Sequence, residues 1–154
     1  MRTRPALALT LALAVATGTV AGPAHAASHK KPKGKHLHGT YTVTAPPDPS
    51  MEGTSVAGKE CFAVDPASRD DHPLSLPGPG TLHVILDSQD VAAKTDWDLW
   101  IHDAADGSTI DGSHGGTAHE ETTDKFKKAQ GVVIRSCNLL GAPTATVTWD
   151  FSPA

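Results

Sequence analysis

Asp96-Trp97-Asp98-Leu99-Trp100-Ile101-His102-Asp103, running on into Ala104-Ala105-Asp106-Gly107, decides the fold. Trp97, Leu99 and Ile101 fall on one face of this stretch and Asp98, Trp100 and His102 on the other, the period of a strand with one side buried. Asp106-Gly107 is a turn signal: aspartate bonds its own backbone, and glycine takes the positive φ of a tight turn. Outward from this segment the same two-residue period recurs. Thr81–Asp87 places Leu82, Val84 and Leu86 together, and Ala145–Phe151 does the same for Ala145, Val147, Trp149 and Phe151. Further strands are expected over 40–44 (TYTVT), 59–64 (KECFAV), 108–111, 117–123 and 132–137.

Eight short strands separated by turn signals predict an all-β domain: an antiparallel β-sandwich of jelly-roll-like build. Between them, 45–58 reads as a loop, and 65–80, broken by Pro66, Pro73, Pro77 and Pro79, as mostly loop and edge. Thr123–Gln130 could hold a helical turn, although it lacks an apolar stripe.

The N-terminus reads as an address. Arg2 and Arg4 precede a short apolar run from Leu7 to Val15, and Ala24-His25-Ala26 is a small-x-small cleavage site, so residues 1–26 are expected to be a signal peptide and the chain to be secreted and extracellular. The run is too short for a stable membrane span of about 20 residues. Residues 27–38, rich in Lys and His, read as a flexible basic tether, and 39–154 as the sandwich, one domain and a monomer.

Charge narrows the partners. The whole chain carries −4, but from Pro46 onward seven lysines and arginines face seventeen acids, a net of −10. A domain of that sign repels nucleic acid. An extracellular protein or a wall polymer suits it better.

Two cysteines remain after export. An oxidising compartment favours a Cys61–Cys137 disulfide, free thiols being the alternative. Alternation agrees with pairing: if Phe62, Val64, Val132 and Ile134 look inward, both cysteines lie on the opposite register.

Taken in order, several of these segments resemble a known family. They are Thr81–Asp87, Asp96-Trp97-Asp98-Leu99-Trp100-Ile101, Asp106-Gly107, Glu120 after a Gly/Ser-rich turn, Gln130-Gly131-Val132-Val133-Ile134-Arg135 and Thr144–Phe151. The sequence is similar here to the bacterial pre-peptidase C-terminal domain, over about half its length. The resemblance implies a jelly-roll-like sandwich and a non-catalytic role, because members commonly trail secreted proteases, where they assist secretion, solubility or substrate binding. Some collagen-binding relatives hold Ca²⁺. This chain carries no protease domain, and it has a basic leader where those relatives use an acidic linker.

Candidate chemistry is sparse. Asp96 and Asp98, two apart on a strand, should project together, and with Asp106 at the following turn they form a partial oxygen set for calcium. The alternative is that they organise the loop and turn. Trp100, in the outward register, could stack on a sugar ring or a peptide, or pack under the 65–80 loop. His36-Leu37-His38 is a weak metal pair. His119-Glu120-Glu121-Thr122-Thr123 is not a zinc-protease motif, because Thr stands where the second His belongs. There is no G-x-S-x-G elbow and no phosphate loop. The expectation is therefore a secreted, non-catalytic binding or accessory module without a required cofactor. The competing readings are a small metal-dependent hydrolase built on the acidic turn, and an exported structural protein with no small ligand.

Overall fold

The structure is a computed structural model that describes residues 34–51, 61 and 64–154. The expected signal peptide, residues 1–26, and most of the expected tether lie outside the described residues. So does most of the strand expected over 59–64; of that segment Cys61 and Val64 are described, and neither is in a strand.

Eight strands form the domain: β1 (Leu37–Thr44), β2 (Arg69–Leu76), β3 (Gly80–Ser88), β4 (Asp96–Asp103), β5 (Thr109–Ser113), β6 (His119–Phe126), β7 (Gln130–Leu140) and β8 (Thr144–Pro153). They lie in two four-stranded antiparallel sheets, ordered β1-β8-β3-β6 and β2-β7-β4-β5. Strand β1 pairs with β8, β2 with β7, β3 with β6 and β4 with β5. The chain is thus one long hairpin whose tip is the β4–β5 turn, rolled so that every connection except that turn crosses between sheets. That order is a jelly roll.

The tip turn explains Asp106-Gly107. Gly107 takes φ +73° and its N–H donates to the Asp103 carbonyl at 2.9 Å, while the Asp106 carboxylate accepts from Ser108 N at 2.9 Å. These are local turn bonds.

Alternation builds the core. Leu82, Val84, Leu86, Val147 and Phe151 of the first sheet meet Trp97, Leu99, Ile101, Val132 and Ile134 of the second, all fully buried. Burying each such side chain contributes about 1.5–3 kcal/mol. A second cluster lies on the outer face of the β2-β7-β4-β5 sheet. There Met51, Cys61 and Val64 cover Cys137 and Leu139, with Trp100 packed alongside. The Cys61–Cys137 disulfide, Cα–Cα 5.7 Å, ties this covering segment to β7. Val64 belongs to this outer cluster and not to the inner core, because its segment is a bend over the sheet and no strand alternation governs it.

Three expectations are corrected. Strand β1 begins at Leu37, paired with Phe151, two residues before the sandwich was expected to start at Gly39. The segment read mostly as loop contains the eight-residue strand β2; it is an edge strand, where Pro73 is tolerated. The helical turn over 123–130 does not form, because β6 continues through Phe126, against β3.

Candidate functional site

The structure places Asp96, Asp98 and Asp106 in three different surroundings. The β4–β7 register shifts between Asp96 and Trp97, where Leu139 of β7 is left without a partner on β4. Asp98 keeps the outward register of Trp100 and is 2 % exposed. Asp96 turns toward Glu120 of β6. Asp106 sits exposed in the turn beyond the other end of β4, a strand about 23 Å long at 3.3 Å per residue. These residues do not supply a convergent calcium shell, and among the described residues no group of three or more His, Cys, Asp or Glu is arranged to hold a metal.

The sequence reading left Glu120 without a role. It is 2 % exposed and its carboxylate accepts from the Ser113 hydroxyl, from Gly115 N at 2.9 Å and from the Thr117 hydroxyl at 3.1 Å. Glu120 thereby fastens the β5–β6 connection. Asp96, 5 % exposed beside it, has a carboxylate oxygen with no hydrogen-bond partner among the described residues. Burial pushes the Asp96 carboxyl above its ordinary value, and the Glu120 charge adds to the shift.

A raised carboxyl pKa lends stability below the unfolded value, about 3.9, and that contribution is lost as pH rises through the folded value. Ionised Asp96 therefore costs stability at neutral pH. Asp96→Asn is expected to raise Tm at pH 7, and the gap to wild type should close as pH falls toward 4 in a series of thermal melts. A lower Tm for the variant at pH 7 would show instead that an attraction holds the anion, and a Ca²⁺-dependent shift in the wild type would identify it as a cation.

Trp100 is taken up by the fold. Its ring lies across Gly112 of β5, where any Cβ would collide with it, and it stacks on His114 at 5.3 Å and 3°. It packs against the cluster formed by Met51, Cys61, Val64, Cys137 and Leu139.

Among the described residues, nothing forms a comparable cover over the outer face of the other sheet. On β1, Thr40, Thr42 and Thr44 stand opposite Thr148, Thr146 and Thr144 of β8, and all six are exposed. Thr40 and Thr148 join through their hydroxyls at 3.3 Å. Next to them on β3 and β6 runs a chain of polar contacts. Asp87 bonds His119 at 2.5 Å, His119 Nε2 lies 3.8 Å from Glu121, and Glu121 bonds His83 at 2.7 Å. The Asp87 bond raises the His119 pKa above its ordinary value.

At one end of this face Thr42, Asp87, Ser88, Gln89, Thr144 and Thr146 line a hollow of about 250 Å³. Its rim continues into the β3–β4 loop. There Ala92 and Ala93 both hold positive φ (58° and 53°), and Val91 is 54 % exposed. Two successive non-glycine residues in that region are strained, a condition that concentrates at binding sites.

No family model matches the chain, and no curated protein matches it by sequence.

Proposed function

We propose that the chain is a secreted, non-catalytic binding module that docks a neutral, hydroxyl-rich wall polymer on the open face of the β1-β8-β3-β6 sheet. The observation that carries this reading is the asymmetry of the two outer faces. The disulfide-tied segment covers one, while the other presents six in-register threonines running into a hollow. Threonine hydroxyls both donate and accept, the Asp87 carboxylate accepts, and the Gln89 amide does both. This repertoire suits a polymer whose surface is made of hydroxyls. The sheet spaces the groups at about 4.8 Å across strands and about 6.6 Å along them, a rigid array. The motif order from Thr81 to Phe151, similar to that of pre-peptidase C-terminal domains, supports an accessory role.

The test is sedimentation of the mature protein with insoluble wall polysaccharides. Replacing Thr42, Thr144 and Thr146 by valine preserves shape and strand propensity but removes three hydroxyls. At about 1 kcal/mol each, the triple variant should bind roughly 100-fold more weakly. Binding unchanged by the valines would remove this face from the account. Reproducible turnover in a hydrolase panel, above a heat-killed control, would overturn the non-catalytic reading.

A further inference from the structure

The far end of the same sheet carries a hollow of different chemistry. Lys125 and Phe126 stand opposite Thr81 and Gly80, at the other end of β3 from Asp87. There Ile110, Lys125, Phe126, Lys127, Lys128 and Gln130 line a space of about 550 Å³. That volume falls within the range of about 300–1,000 Å³ typical of small-molecule sites. The floor is apolar: Phe126 is 7 % exposed and Ile110 is half-buried, at the seam where β5 and β6 face each other from opposite sheets.

The charge at the rim is the unusual part. From Pro46 to the end, a region of net charge −10 holds seven lysines and arginines, and three of them fall within four residues on this rim. Arg135 is held by Asp71 at 2.6 Å, but among the described residues none of Lys125, Lys127 and Lys128 forms an ion pair. Arg69 and Lys94 likewise form no ion pair among the described residues, so what sets this rim apart is that three cations cluster around an apolar floor; their alkyl stems extend that floor while the ammonium groups stay in water.

We propose that this hollow binds a free alkyl carboxylate, its chain on Ile110 and Phe126 and its carboxylate among the three lysine ammonium groups. The charge complementarity is local. The field of the rest of the domain repels anions, so one small anionic head reaching the lysines is favoured over a polyanion, which would also lie along acidic surface.

The probe is octanoate, with octanol as its uncharged counterpart, titrated by calorimetry against the mature protein. Saturable one-to-one binding of octanoate is expected, weakened by salt, with octanol at least about tenfold weaker. The variant Lys125→Gln/Lys127→Gln/Lys128→Gln should lose about tenfold in octanoate affinity at an unchanged Tm. Ile110→Asp should abolish binding, and Lys94→Gln, outside the hollow, should leave it intact. Equal binding of octanol, full retention by the triple variant, or no saturable heat at millimolar octanoate would each overturn the proposal. Binding to phosphatidylglycerol vesicles without binding to octanoate would assign the lysines to a membrane surface and overturn it too. A triple variant that self-associates yet still binds octanoate would make the lysines guards of the strand edges, again against the proposal.

Discussion

Trp97→Ala is expected to destabilise the domain by about 3–5 kcal/mol, a large part of the roughly 5–15 kcal/mol that holds a domain of this kind folded. Trp97 is fully buried and is the largest side chain in the inner core. It also joins three segments. Its indole N–H donates to the Ala142 carbonyl at 3.2 Å, in the β7–β8 turn, and its backbone N–H donates to Thr117 O at 3.1 Å, in the β5–β6 connection. Alanine would leave a void and remove the indole bond, while the Ala142 carbonyl keeps the Asn138 side-chain amide at 3.0 Å. Trp97→Phe keeps most of the volume and loses mainly the indole bond, so it should cost far less. Trp149, on the same sandwich but only partly buried, provides the comparison, and Trp149→Ala should fall well below Trp97→Ala. Urea unfolding followed by circular dichroism measures all three. A Trp97→Ala chain within about 1 kcal/mol of wild type would mean that the core closes around the missing indole.

How legible each strand was depended on what its inward positions carry. In β3, β4 and β8 these positions are leucine, valine, isoleucine, phenylalanine and tryptophan, so the two-residue period is plain in the residues. Strand β6 hides the same period. Its buried positions begin with Glu120 and Thr122, and only Phe126 is apolar, so the alternation of burial has no matching alternation of hydrophobicity. Those polar groups are satisfied across the sheets, Glu120 by the β5–β6 connection and Thr122 by Asp111 at 2.5 Å, and such partners are visible only after folding. Strand β2 was obscured by Pro73 and by Asp70 and His72 at half-buried positions. His72 stacks on Tyr41 of β1 at 3.9 Å, an edge-to-edge contact between sheets.

The candidate sites were less legible for a related reason. Asp96 and Asp98 lie two apart, but the pairing with β7 shifts by one residue beside Asp96, and Asp106 lies in the turn beyond the far end of the strand. Residues 40–44 and 144–148 each show threonine at every second position, but a hundred residues lie between them. Only the pairing of the first strand with the last brings the two rows side by side. The lysine-rimmed hollow likewise needs Ile110 of β5 and Phe126 of β6, which belong to different sheets and meet only at the sandwich edge. By contrast, the disulfide was readable, since it required only export and two cysteines.

Removing that disulfide is the other large perturbation. Cys61→Ala/Cys137→Ala opens a 76-residue loop, and the lost constraint on the unfolded chain is worth about 4 kcal/mol, lowering Tm on the order of 10–20 °C. The effect should also have a local signature. Met51, Cys61 and Val64 cover Cys137, Leu139 and Trp100, and without the bridge this cover is held only by a small apolar cluster. It should lift before the sheets separate. Trp97 stays in the inner core and Trp149 lies on β8 of the other sheet, so a red shift of tryptophan emission ahead of the main melt would report Trp100 meeting water. The threonine face belongs to the other sheet and should be unaffected, so the folded variant should keep whatever wall-polymer binding the wild type shows in the sedimentation test. Reduction of the wild type should reproduce both the lowered Tm and the early shift. A variant that melts within a few degrees of wild type, with unchanged Trp100 emission, would mean that Met51 and Leu139 hold the cover without the bridge.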